Sequence, residues 1–205
     1  MNAAVAVARS RGLPRAAGIC LVLALLASGF VGQRLAVPEL RYLSDFSVPV
    51  AELVPIAHAV LLATTLFSPM ADLEWTAAQP MRRHRAVHLL TLLVLAVGLC
   101  ALPLAAGAPV PVFAAAVRNA VGYLGLGMIS ARLFGSGLAW LLPLGMFGPT
   151  LFLGVGPDNT PEAWAWSIQP AHDVPAGVAA AALWAVGLLL AATGSPRRTE
   201  RAEQQ

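Results

Sequence analysis

The stretch "AVHLLTLLVLAVGLCALPLAA", residues 86–106, holds no charged side chain and only two clearly polar ones, His88 and Thr91. As an α-helix rising about 1.5 Å per residue, it is long enough to cross the ~30 Å hydrocarbon layer of a bilayer. Five further windows read the same way: 16–36, 48–70, 112–131, 134–155 and 176–193. In the fifth, "LAWLLPLGMFGPTLFLG", residues 138–154, Pro143 and Pro149 bracket Gly145 and Gly148. This segment is expected to be kinked or broken, which lipid tolerates only where protein or water satisfies the freed backbone groups.

Composition leads to the same class. Hydrophobic residues make up 58% of the 205 and charged residues 11%, with mean hydropathy +0.73. A soluble domain of this length carries about 25% charged residues to cover its surface. The fold expected is therefore all-α and polytopic, with lipid as the solvent of most side chains. All thirteen cations are arginine, which together with the Ala, Leu, Val, Gly and Pro content points to a GC-rich bacterial genome. The net charge of +3 requires no nucleic-acid partner.

The arginines set the topology expected. With six spans and a cytoplasmic N-terminus, the inner segments hold Arg9, Arg11, Arg15, Arg82, Arg83, Arg85, Arg132, Arg197, Arg198 and Arg201. The outer loops hold Arg34 and Arg41, and Arg118 falls inside the fourth span. That is the bias of the positive-inside rule. Were the fifth segment not to cross, the tail "SPRRTER", residues 195–201, would lie outside. The expectation is a basic cytoplasmic segment 1–15, one six-helix transmembrane domain 16–193, and a polar cytoplasmic tail 194–205, in a bacterial plasma membrane. The apolar run from residue 16 to 32 is longer than a ~7–15 residue signal-peptide core, so it is read as an uncleaved first span.

The most charged stretch, "DLEWTAAQPMRRHRAVHLL" at 72–90, then falls in the cytoplasm. Asp72 and Glu74 suit the first turn of a short helix, where the dipole favours negative charge. Pro80 would stop that helix, and the cluster Arg82, Arg83 and Arg85 would meet the inner headgroups. Two readings stand. Either the arginines only fix orientation and bind anionic lipid, or the loop docks a soluble partner, with Trp75 as apolar contact and the charges setting register.

Inside the spans, Glu52, His58 and Arg118 stand out. Glu52 lies about four residues, ~6 Å, below the outer start of span two, and Arg118 about six residues, ~9 Å, below that of span four. An unpaired arginine at a span centre costs ~2.5–3.5 kcal/mol on insertion scales. A Glu52–Arg118 pair, separate snorkelling of each, and a role in a transport path are the three readings. His58, near mid-span, is expected to bond between helices; a proton relay is the alternative. In the outer loop 155–175, Trp164 and Trp166 are expected at the headgroup layer, either as anchors or as a substrate-facing lip. Cys20 and Cys100 read as small apolar residues. The small-residue ladder Ala24, Ser28, Gly32 and Ala36, and Gly122, Gly125 and Gly127 on span four, point to close helix approach. His84 and His88 have i, i+4 spacing but no third ligand, so neither metal nor cofactor is expected. An enzyme is not expected either: "FGSG", residues 134–137, lacks the first glycine of a GxSG serine motif, and the last span has no histidine to activate Ser136.

In layout the chain resembles the exporter-type permeases of ATP-binding cassette transporters, with six short spans, a compact loop after the second and a longer outer loop before the last. The stretches "DLEWTAAQPMRRHRAVHLL", "ARLFGSGLAWLLPLG" (131–145) and "EAWAWSIQP" (162–170) resemble small actinobacterial membrane proteins associated with such transporters. The resemblance implies that Asp72, Glu74, Trp75, Arg82, Arg83 and Arg85 touch a separate nucleotide-binding ATPase subunit. It also implies a homo- or hetero-dimer of membrane subunits with the path between them. The N-terminal segment departs from the pattern, being short for the amphipathic connecting helix the family often has. The chain has no GxxxxGK[ST] loop and no lysine, so ATP would bind to another chain. A non-transporting membrane scaffold or an immunity-type protein is the alternative function.

Overall fold

The computed structural model describes residues 9, 11–38, 40, 45–66 and 81–193. Among them, six α-helices and one small hairpin make up the fold. The helices are α1 (Leu13–Gly29), α2 (Val50–Ala63), α3 (Met81–Ala105), α4 (Val110–Phe134), α5 (Leu141–Leu153) and α6 (Val174–Thr193). The hairpin pairs β1 (Arg34–Pro38) with β2 (Asp45–Pro49) between α1 and α2. Mostly helical architecture therefore stands, with strands that the all-α expectation did not contain.

Local chemistry fixes the boundaries. Gly12 takes a left-handed φ of 70° and Pro14 opens α1, where a missing N–H is harmless. The chain leaves α1 at Gly29, turns through Gly32 at φ +85°, and becomes extended. The first span therefore does not reach residue 36, and the expected ladder ends early, with Gly32 in a turn and Ala36 on a strand. The hairpin is favoured because it buries Val37 and Val48 against Leu151, Val155 and Ile168. Arg34 locks it from the side, donating from Nε to Ser47 Oγ at 2.9 Å and from Nη2 to Ser47 O at 2.6 Å. Pro109 and Pro111 start α4, and Gly135 at φ +94° ends it beside Arg132, whose charge suits the C-terminal dipole. Asp173 caps α6, accepting from Ala176 N at 2.7 Å.

Contacts along the helices show that α2, α4 and α6 run in one direction and α1, α3 and α5 in the other. At one end, Arg11 Nη1 donates to Leu66 O at 3.1 Å, His88 Nε2 lies 3.0 Å from Thr65 O, and Ser130 Oγ donates to Leu138 O at 2.6 Å. At the opposite end lie the hairpin, the start of α2 and the segment 154–173 that joins α5 to α6. Helix α4 is the axis, packed by α2 and α6 along its length and by α3 and α5.

Many large apolar side chains on the outer helices point outward. On α1, Ala16, Cys20, Ala24 and Ala27 are buried while Val22, Leu25 and Leu26 are more than half exposed. Leu90 and Val94 on α3 and Val178 and Leu189 on α6 repeat the pattern. Apolar surface on this scale suits lipid and not water. Among the described residues three helices, Val87–Ala105, Val110–Phe134 and Val174–Ala191, are long and apolar enough to cross a membrane, and three apolar helices are shorter. The shortest, α5, has 13 residues, about 20 Å of helix. Thus the proline- and glycine-rich window 134–155 is broken: residues 136–138 form a 3-10 turn, and the helix begins only at Leu141.

Candidate functional site

Arg118, Asn119, Gly122 and Tyr123 occupy one face of α4, because residues one turn apart lie above one another. That face looks at the segment 154–173. The segment is held in a fixed shape by its own bonds: Val155 bridges Pro161, Gly156 N donates to Thr160 O at 2.8 Å, and Asn159 takes the left-handed turn position at φ 57°. Gln169 Nε2 donates to Glu162 O at 2.9 Å and to Pro161 O at 3.3 Å. Its residues 166–168 form a single 3-10 turn that inserts into the bundle.

Three side chains of α4 hold this turn. Arg118, 8% exposed, donates from Nη2 to Ser167 O at 3.1 Å, from Nη1 to Pro170 O at 3.0 Å and from Nε to Asn119 Oδ1 at 3.2 Å. Asn119 donates from Nδ2 to Ser167 O at 2.8 Å and to Glu52 O at 3.2 Å, tying α2 into the node. Tyr123 shares a 2.8 Å hydrogen bond with Ser167 Oγ. The planar guanidinium uses its fork on carbonyls, a geometry that lysine cannot reproduce.

Beside the node, the Trp166 indole lies against Gly122, where a Cβ would fall 2.6 Å from Cζ3 and 3.1 Å from Cζ2. Tyr123 lies tilted against the same indole, with 5.0 Å between ring centroids. Trp166 also lines an open apolar cleft of about 440 Å³ between α5 and α6, floored by Leu126 and Ile129 of α4. Met146, Ala179, Ala182, Leu183 and Val186 complete its wall.

No family model, curated protein or solved structure matches the chain. The geometry therefore speaks alone. Among the described residues no group of three His, Cys, Asp or Glu could hold a metal ion, and the node presents donors already used on carbonyls. Its evident chemistry is mechanical: it holds the connecting segment on the bundle.

The residues singled out from the sequence are placed as follows. Glu52 is half-buried in the first turn of α2, where the dipole suits it, and feels the fields of Arg118 and Arg34. Arg118 spends its donors on carbonyls, and among the described residues no ion pair joins it to Glu52. His58 bonds between helices, its Nε2 3.1 Å from Cys20 O on α1. Trp164 is exposed, whereas Trp166 is 5% exposed. The hooks on Ser167 hold Trp166 inward against Gly122, so the two tryptophans differ in exposure. Cys20 and Cys100 are free and buried. Asp72, Glu74 and Trp75 lie outside the described residues; Arg82, Arg83 and Arg85 belong to the first turns of α3. Asn119, Tyr123 and Ser167 were not singled out. The first two carried a signal, since they share a helix face with Arg118; Ser167 carried none.

Proposed function

We propose that the chain is the permease-like membrane subunit of a bacterial ATP-binding cassette transporter of the exporter type. It crosses the plasma membrane six times, with both termini and the loop 71–86 in the cytoplasm, and works as a dimer with a separate ATPase. The observation that carries this reading is the gathering of Arg11, the end of α2, the start of α3 and the end of α4 at one end of the bundle. Arg132 and the Arg82–Arg85 cluster belong to that same end by chain position, so the charge bias and the helix directions agree. Leu66 and the start of α3 at Met81 lie at that end, where an ATPase could push on α2 and α3 together. Motion passed to α3 reaches α4 directly by packing.

A second reading, a non-transporting scaffold or immunity-type protein, is favoured by the interior. The donors of Arg118 are all turned on carbonyls, and the cleft wall is apolar. Co-purification separates the two. The protein drawn from its native membranes should bring an ATPase with it, and Asp72→Ala, Glu74→Ala and Trp75→Ala combined should release that ATPase without lowering the amount of membrane protein. An intact preparation without ATPase supports the scaffold and ends the transport reading.

A further inference from the structure

We infer that the cleft between α5 and α6 is a binding site for an acyl chain of an anionic glycerophospholipid, whose phosphate meets Arg132. The inference rests on α4 and α6 crossing the membrane and does not depend on the ATPase reading. Helix spacing creates the cleft. Helix α6 approaches α4 at backbone distance through Gly125 and Gly187, and Ser130 of α4 clasps the start of α5, its Oγ accepting from Leu142 N at 3.2 Å. Both helices are held on α4, and the space left between them is an open cleft of about 440 Å³. That volume lies within the ~300–1,000 Å³ usual for ligand sites.

Every side chain that lines the cleft is apolar or aromatic. Ala179, Ala182, Leu183 and Val186 follow one another at i, i+3, i+4 and i+7, so a single face of α6 forms the wall. Two of these four are alanine, and there the wall recedes. Water finds no hydrogen-bond partners on such a surface, so in a bilayer the occupant that the lining accepts is a hydrocarbon chain. The outer face of α1 differs, because Val22, Leu25 and Leu26 stand more than half exposed on one helix. A chain in the cleft touches α4, α5 and α6 at once and gains more dispersion contacts than a chain lying on one helix. The charge lies beyond the floor. Ile129 belongs to the floor, and Arg132 follows it by three residues in the last turn of α4. Arg132 is half-buried, and among the described residues no hydrogen bond or ion pair engages its guanidinium. Phosphate oxygens suit that planar fork.

The test reads which phospholipid stays with the protein. The full chain is reconstituted in vesicles of equal parts dioleoyl-phosphatidylglycerol and dioleoyl-phosphatidylethanolamine, re-extracted in mild detergent, washed, and analysed by native mass spectrometry. The parent should retain phospholipid, with phosphatidylglycerol favoured about fivefold, as one arginine at the membrane surface gives. Ala182→Leu fills the recess and should cut retention by about fivefold or more, since fewer methylenes are buried. Ala185→Leu adds the same atoms to the same helix at an exposed position outside the cleft, and should leave retention unchanged. Met146→Trp fills the cleft from α5 and should repeat the loss. Arg132→Gln should keep the lipid and lose the headgroup preference. A parent stripped of phospholipid overturns the site, and so does equal retention in Ala182→Leu and Ala185→Leu. An unchanged headgroup ratio in Arg132→Gln overturns the role of the arginine. Dissociation of a dimer by Ala182→Leu, with phospholipid retained, gives the cleft to a second copy of the chain and overturns the lipid.

Discussion

Arg118 and His58 are both buried polar residues in apolar helices, and magnitude separates them. His58 makes one interhelical bond, to a Cys20 carbonyl that also serves helix α1. Such bonds within membranes average about 0.6 kcal/mol. His58→Leu should therefore leave the thermal midpoint in detergent within about 2 °C of the parent. Arg118→Met strands the buried Asn119 Oδ1 and leaves Ser167 O with only the Asn119 donor, at about 1–3 kcal/mol for each group left unsatisfied. Its midpoint should fall by on the order of 5 °C or more, and differential scanning fluorimetry reads both. A fall of equal size for His58→Leu would contradict this ranking. The carbonyl hooks also decide the pairing question raised by Glu52. Exchanging the charges, Glu52→Arg with Arg118→Glu, should recover none of the expression lost by Arg118→Glu alone, because the carboxylate would turn like polarity toward the same carbonyls. Recovery measured by membrane-fraction blotting would restore the ion pair.

At the scale of elements, the α4–α6 contact is a backbone contact. A Cβ on Gly125 would meet the Leu183 carbonyl carbon at 2.5 Å, and one on Gly187 would meet Gly125 O at 2.7 Å. Neither neighbour is a side-chain tip able to swing away. Gly125→Leu should force the helices apart at a cost of about 1–3 kcal/mol, seen as a lower midpoint, whereas Gly98→Ala, open to 4 Å on α3, should change it little. Equal effects would mean that α4 and α6 do not cross so closely. Gly122, Gly125 and Gly127 were legible as packing positions in the sequence, since glycines at helical spacing in an apolar run have few other uses. Helix α5 was half legible: Pro143 and Pro149 announced a broken segment, but not that the helix would start only at Leu141. The hairpin was not legible. "RLAVP" and "DFSVP" are short and lie between two apolar helices, so the sequence reading divided them between the ends of the windows 16–36 and 48–70 and an outer loop 37–47. Only the distant Leu151, Val155 and Ile168, which cover Val37 and Val48, select the strand. The burial of Trp166 was not legible for a related reason: the hooks that hold Ser167 beside it come from residues about 45 positions upstream on another element.

For the whole molecule, the outward-facing apolar side chains decide the solvent. Val, Leu and Ile face out on α1, α3 and α6, so the protein should remain in the membrane pellet after carbonate washing and enter solution only with detergent. Composition made that much readable without coordinates. The proposed docking of an ATPase rests instead on a loop whose acidic and basic residues carry position but no unique motif. The most direct test of the central claim is topology mapping by single cysteines in intact cells, treated with a membrane-impermeant maleimide. Cysteines replacing Asp158 and His172 should react from outside, while those replacing Glu74, Arg85 and Ser195 should react only after the membrane is opened. Reaction of Glu74→Cys or Arg85→Cys in intact cells would contradict six crossings with a cytoplasmic loop after the second.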